Sequence, residues 1–453
     1  MTIDRRAFFA ASGGLIAGGP TATAPATALS PARYANAQSH TVSVRAAPFL
    51  ARGDGRANDT RAIEAALNAV AAAGGGVVEI PSGDYLVDTI HIPVVKGGTL
   101  RIVGQGWSYD SGATSRIISA SARPMFQPGG GVNGIELSML HLDGNNIGTT
   151  GWDGQHGNKA RLYNLLVDRF TNYGIYFNQG LCELRQSYVR FNRGVGVRTS
   201  SDGWFSGNEI GSNGGIGMIV SAGGNRITDN LINSNGSHGI HITGRTTSNL
   251  INSVIGGYLG ENVGQNILIE GVSAGDRNVG YTSIVGCFIQ QTGPKRAGGI
   301  RIVNARQTQI TAINYLGGAN DTGCISMDGC DSSQVSGVVA SYSSGNVVRL
   351  DRCDDVSISA VTSRDHASAI TRLDDTYMIR VGEGCHRCSV TDVRATDARS
   401  PAYARGIKNK GQGTIILGAY TFSGASNADA FGGAAVMTFD AGSGRWITLN
   451  GRA

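Results

Sequence analysis

The chain has 453 residues, of which 68 are glycine; 41% of its side chains are apolar and 16% are charged. That apolar share supports a packed core and argues against wholesale disorder. A formal net charge of +5, with no basic stripe interleaved with aromatics, gives no nucleic-acid-binding signature.

The first element is a leader. Arg5 and Arg6 in DRRAFFAASGGLIAGG precede a short Gly/Ala-rich apolar run, and TATAPATALSPARYANAQS offers small residues at A-x-A spacing. The pattern resembles a twin-arginine export signal over residues 1–37, with cleavage after Ala37 and a periplasmic or secreted product. No other run reaches the ~18 apolar residues of a membrane span, so the mature chain is expected to have none.

Residues 38–95 read as an N-terminal cap. Asn58, Asp59 and Thr60 are helix-capping types, and Ile63, Ala66, Leu67 and Val70 form an apolar stripe at helical spacing. Gly74 to Gly76 end that helix, and VVEI follows as a strand. A solenoid needs such a cap over its open end.

Residues 96–420 carry a repeat. GIYF, GVGV, GIGM, GIHI, NILI, GIRI, CISM and VVRL begin at residues 174, 194, 215, 239, 266, 299, 324 and 347. Each follows a second short apolar alternation, and Asn, Ser, Asp and Gly lie between. Runs of three to six residues with period two are strands, and no helical pattern separates them. The fold class expected is all-β, a right-handed parallel β-helix with a short N-terminal capping helix. A β-propeller needs four longer strands per ~40-residue blade, which this repeat is too short to supply. Cys330, Cys353 and Cys385 share one register and are expected to stack as buried, reduced thiols. Residues 421–453 read as terminal strands that cover the far end or pair with a neighbouring copy in a homo-oligomer.

The cap is where a family becomes recognisable. Gly53-Asp54-Gly55, Asn58-Asp59-Thr60, Gly74 to Gly76, and Pro81, Gly83 and Tyr85 resemble the N-terminal entry motif of the pectate-lyase-like superfamily. LSMLHLDGNN is similar to its first rung. The resemblance implies a secreted β-helix protein that handles carbohydrate. The superfamily includes polysaccharide lyases, polygalacturonase-type hydrolases, uronate epimerases, fructotransferases and tailspike depolymerases, so fold alone names no reaction.

Alternation along each strand sets the candidate site. Taking the third residue of each repeat as outward gives Tyr176, Gly196, Gly217, His241, Leu268, Arg301, Ser326 and Arg349. Tyr176 and His241 are then expected to flank a gap left by Gly196 and Gly217, with His238 at its edge and Arg198 on the same face. Tyr176, His241 and Arg198 are the candidate catalytic groups. His238, Arg301, Arg349, Gly196, Gly217 and Trp152 are the candidate substrate contacts. His238 and Arg301 partly echo Gly-His-Gly and Arg-Ile-Lys of polygalacturonase-type hydrolases. The preceding rungs RGVGV and NGGIGM lack the carboxylates that inverting hydrolysis requires. Asp328, Asp351 and Asp374 form a second candidate site, expected to stack on one edge beside Arg301, Arg349 and Arg372. That stack is readable as a Ca2+ site, an acidic catalytic pair, or a structural Asp–Arg lattice.

The reading with most support is a polysaccharide lyase working by β-elimination on an acidic polysaccharide. Such chemistry needs a base and a positive charge to neutralise a uronate carboxylate. A hydrolase or transglycosidase of the same fold and a non-catalytic polysaccharide-binding envelope protein are the alternatives.

Overall fold

The computed structural model describes residues 40–449 apart from 109–113, 157–158, 179, 245–250, 272–278, 294–297, 319–322, 366–376, 397–405, 424–430, 434–435 and 441–444. The leader expected over residues 1–37, and Asp374 and Arg372, lie outside the described residues.

Every turn of the chain contributes strands that pair, in parallel and in register, with the turns before and after. One face is a 14-stranded parallel sheet, called the front sheet here, running from Ile90–Ile92 to Phe431–Gly433. The remaining two columns of strands form a second, 26-stranded sheet, with two-residue links such as Asn164–Leu165 between their strands. This is the expected right-handed parallel β-helix. Among the described residues no helix is long and apolar enough to cross a membrane.

The core follows from strand periodicity. Trp152, Ile175, Val197, Met218, Ile240, Ile267 and Ile300 are paired rung on rung and buried. Helix α1, Thr60–Ala72, lies at the N-terminal end and buries Ile63, Ala66, Leu67 and Val70, the stripe read from sequence. Its N-cap residue behaves differently from expectation. Asp59 makes no side-chain bond to the helix; its carboxylate accepts the Arg52 and Gly53 N–H groups at 2.7 and 2.9 Å. It therefore holds the preceding turn closed.

Buried amides join the rungs at the corners. Asn192, Asn213, Asn235 and Asn262 each follow a residue in the left-handed region (Phe191, Ser212, Ser234, Glu261) and point inward. The Nδ2 of each of the first three donates to the Oδ1 of the next, at 2.9, 3.0 and 2.9 Å. Asn208–Asn230 and Asn225–Asn252 repeat the arrangement at other corners, at 2.9 and 3.1 Å. The Asn residues read as turn formers are thus structural core. Farther along, the thiols of Cys330 and Cys353 face backbone carbonyls of the preceding turn, and the Cys353 N–H lies 3.4 Å from the Cys385 sulfur. All seven cysteines are buried and none forms a disulfide, as the shared register implied for Cys330, Cys353 and Cys385.

The amide ladder explains a column of glycines and corrects the sequence reading. Gly174, Gly196, Gly217 and Gly239 occupy equivalent positions on successive rungs. A Cβ on Gly196 or Gly217 would sit 2.7 Å from the amide nitrogen of Asn213 or Asn235 and 2.7 Å from a backbone carbonyl. These glycines face the ladder, so no outward gap exists between Tyr176 and His241. The frame in those two rungs begins two residues later than expected, as GVRT and GMIV.

Two substitutions test the ladder. Asn213→Ala removes the acceptor of the buried Asn192 N–H and one partner from each of the Asn192 and Asn235 side chains, at about 1–3 kcal/mol for each buried group left unpartnered. Gly217→Leu forces a side chain into the same space and is expected to destabilise the helix rather than block its surface. Chemical denaturation of both variants against the wild type is the measurement; unchanged midpoints would contradict the role assigned to the ladder.

Candidate functional site

With the register known, the outward residues of the front sheet can be read directly. Successive rungs present Asp153, Tyr176, Arg198, Ile219, His241, Leu268, Arg301, Ser326, Arg349, Arg380 and Lys408. Rungs are ~4.8 Å apart. Tyr176 and Arg198 are therefore neighbours, whereas Tyr176 and His241 are three rungs, or roughly 14 Å, apart. The sequence reading placed these residues around one gap; the structure divides them into two clusters separated by Ile219.

The first cluster is compact. The Tyr173 and Tyr176 rings stack with centroids 5.4 Å apart. The Arg198 guanidinium lies 5.8 and 5.1 Å from those two centroids. Its Nη1 donates to the Tyr173 hydroxyl oxygen at 3.0 Å. One rung before Tyr176 stands Asp153, the chain neighbour of the candidate Trp152. Trp152 is fully buried in the core, paired with Phe126 and Ile175, and makes no outward contact. The reversal arises because Thr150–Gly154 is a regular strand, so alternation turns Trp152 in and Asp153 out. Asp153 is 6% exposed, and its Oδ1 has no hydrogen-bond partner. Burial pushes its carboxyl above the ordinary carboxylate range, against opposing effects from the Gln155 backbone and His156. A buried carboxyl with raised proton affinity is a candidate for proton transfer.

The second cluster contains His238, His241, Glu270 and Arg301. The two imidazole centroids are 5.7 Å apart. His238 Nδ1 accepts the Gln265 N–H at 2.9 Å, which leaves Nε2 as its protonated nitrogen. His241 Nε2 lies 3.3 Å from a Glu270 oxygen, close enough for charge attraction but off the line of a hydrogen bond. Burial pushes both imidazoles below the ordinary histidine value; at His241 the Glu270 carboxylate opposes the shift. Arg301 is exposed on the second rung beyond His241.

The aspartate edge resolves into ion pairs. Asp328 and Asp351 pair in register, as expected. Arg352 Nη2 lies 2.7 Å from Asp328, while Arg349 and Arg380 each approach Asp351 to 2.5 Å. These groups and Glu383 line a surface depression of about 380 Å3. Asp328 and Asp351 already have guanidinium partners and Glu383 pairs with Lys410, so the donor set fits a structural ion-pair lattice better than a Ca2+ site.

A fourth group was not singled out from sequence, although it lies on the rung LSMLHLDGNN. His141, Asp143 and Asp168 are buried, with candidate ligand atoms within 4.8 Å of one another. His141 Nε2 is 3.0 Å from Asp168, and both Arg116 and Arg169 reach the Asp143 carboxylate. Two guanidinium groups on one carboxylate leave little electrostatic reason for a cation there.

Fold and face together define a class: a parallel β-helix bearing a Tyr/Arg/Asp cluster and a His/Glu/Arg cluster along one outer sheet. No family model matches the chain. Alginate lyase 7 of Azotobacter vinelandii is 33% identical over 140 residues, covering 27% of this chain and 16% of that protein. Mannuronan C5-epimerase AlgE2 of the same organism is 26% identical over 254 residues, covering 43% of this chain and 25% of that protein. The chain thus spans a quarter or less of the length of these relatives. Among solved structures, the A-module of the A. vinelandii mannuronan C-5 epimerase AlgE6 superposes with a TM-score of 0.55 at 20% identity. That match covers 86% of this chain and 99% of the module.

Asp153 gives a pH-dependent test. A carboxyl with a raised folded-state pKa destabilises the fold once it ionises. The penalty is absent at acid pH, where folded and unfolded forms are both protonated. It grows from the unfolded value to the folded one and is constant above. Asp153→Asn is therefore expected to raise Tm at pH 7 and to leave it nearly unchanged at pH 3. A Tm gain equal at both pH values would show that the carboxyl carries no such penalty.

Proposed function

We propose that this chain is an exported polysaccharide-acting enzyme that performs β-elimination on a uronate-containing glycan at the Asp153–Tyr173–Tyr176–Arg198 cluster. The observation that carries the reading is Arg198, a guanidinium laid over two stacked tyrosines and bonded to one phenol oxygen. Elimination across, or inversion at, the carbon next to a carboxylate begins with removal of that carbon's proton. The step needs a base and a cation on the carboxylate, because negative charge develops there. Arg198 meets the carboxylate in this reading, and the Tyr173 oxygen that it orients, acting as phenolate, takes the proton. The electron pair of the broken C–H bond forms the new double bond as the glycosidic oxygen leaves. Asp153, which burial favours in its protonated form, supplies a proton to that oxygen.

The partial likeness to proteins named alginate lyase and mannuronan C5-epimerase supports an acidic polysaccharide as substrate. His241 was the first candidate base in the sequence. Its distance from Arg198, roughly 10 Å over two rungs, supports a role in holding the polymer beyond the reacting sugar, with His238 and Arg301. The Arg5–Arg6 leader supports export to the periplasm or medium.

The roles separate kinetically. Tyr173→Phe and Arg198→Ala are each expected to lower kcat by ~10²–10⁴-fold. His241→Ala is expected to raise KM with a much smaller change in kcat. The measurement is ultraviolet absorbance of unsaturated uronate released from polymannuronate or polygalacturonate. New reducing ends without that absorbance would indicate hydrolysis, and an altered epimer ratio without chain cleavage would indicate inversion. His241→Ala losing kcat as severely as Arg198→Ala would return the base to the second cluster.

A further inference from the structure

The strand column that follows the front sheet in each turn has an outer face of its own. Its successive rungs present Arg101, Glu136, Arg161, Glu183, Trp204 and Arg226. Tyr163 and Arg185 stand beside them, two residues along the same strands. Two adjoining depressions lie here, of about 450 and 300 Å3, sharing Arg161 and Glu183. Tyr163 and Arg185 line the first; Lys159, Asp202 and Trp204 line the second.

We infer that this trough is a second glycan-binding site, separate from the front sheet, that takes a segment of acidic polysaccharide. Three features support it. First, the Arg185 guanidinium is already oriented: it lies 4.4 Å from the Trp204 ring centroid, and its Nη2 is 3.0 Å from Glu183. A planar donor fork held in place loses little entropy on meeting a carboxylate. Second, positive charge is in excess. Lys159, Arg161 and Arg185 face two carboxylates, Glu183 and Asp202, in the lining of the two depressions. Glu183 is shared between Arg185 and Arg161, the latter at 3.7 Å and with its side chain 62% exposed. Third, Trp204 is 42% exposed and the nearby Leu181 57% exposed, giving the trough an apolar edge for the faces of sugar rings. Amphipathic rings with carboxylates match such a lining better than a peptide of fixed sequence does. The choice of an acidic glycan rests on the function proposed above; the existence of the trough does not. The site would hold a polymer on one face while the front sheet acts on another part of it, raising the local concentration of substrate.

Affinity electrophoresis through gels containing polymannuronate or polygalacturonate tests this, with gels of an uncharged glucan as the control. The Arg185→Ala/Trp204→Ala double variant is expected to lose retention roughly tenfold in the acidic gels, as follows from losing a charge-assisted contact. Its turnover of short oligouronates is expected to match the wild type. Arg161→Ala leaves the Arg185–Trp204 stack intact and serves where the double variant unfolds; it too is expected to weaken retention. Arg198→Ala should abolish turnover and keep the part of retention that the Arg185/Trp204 variant loses. Unchanged retention in folded Arg161→Ala and Arg185→Ala/Trp204→Ala proteins overturns the inference, and so does equal retention by the uncharged glucan. If the wild type cleaves no uronate, the proposed function fails while the gel result still decides this site.

Discussion

The structure depends on register between successive turns, and buried amides hold that register. A parallel ladder of main-chain bonds alone tolerates slippage, because one rung's backbone resembles the next. The Asn192–Asn213–Asn235–Asn262 ladder removes that freedom at its corner. Each amide donates to the next and to a carbonyl of the previous turn, so a shift by one residue would leave several buried polar groups without partners. The glycine column exists to make room for it. Corner conformation, strand phase and core composition in the middle of the helix are consequences of that single requirement.

Register then decides what the outer surface can do. Because rungs repeat at a fixed spacing, residues on equivalent strand positions form rows, and chemistry is confined to neighbours within a row or between adjacent rows. Tyr173, Tyr176 and Arg198 meet because their strands are adjacent. His241 is excluded from that group by one intervening rung carrying Ile219, although its residue type fits the same chemistry. A linear polymer can engage both clusters where a small substrate cannot, which suits a helix that offers a long row.

Charge distribution separates the ion-paired carboxylates from Asp153. Asp328, Asp351 and Asp143 each meet guanidinium groups that offset their charge. Asp153 lies in a similar outward position, with burial but no cation close enough to reverse its shifted proton affinity. Burial favours the protonated form of Asp153. Sequence shows four aspartates beside strands and cannot rank them, since the ranking depends on which arginine a neighbouring turn delivers.

The repeat, its period-two strands and the apolar stripe of α1 identified the β-helix and its capping helix from sequence, because alternation and helical spacing are local properties. The shared offset of Cys330, Cys353 and Cys385 likewise revealed their stacking. The exact phase of two rungs was also encoded, in Asn213-x-x-x-Gly217 and its counterparts Asn192–Gly196 and Asn235–Gly239, but reading from the first glycine of GVGV and GIGM hid it. Trp152 and Asp153 were exchanged for the same reason: a strand bordered by glycines and polar residues looks irregular until its neighbours pair with it. Tertiary structure alone decided that Tyr176 joins Arg198 and not His241, that Asp351 is neutralised, and that Trp204 lies between two arginines. Those facts depend on how far the chain travels between rungs, and turn lengths that vary from one repeat to the next place side chains in register only once the backbone ladder has closed.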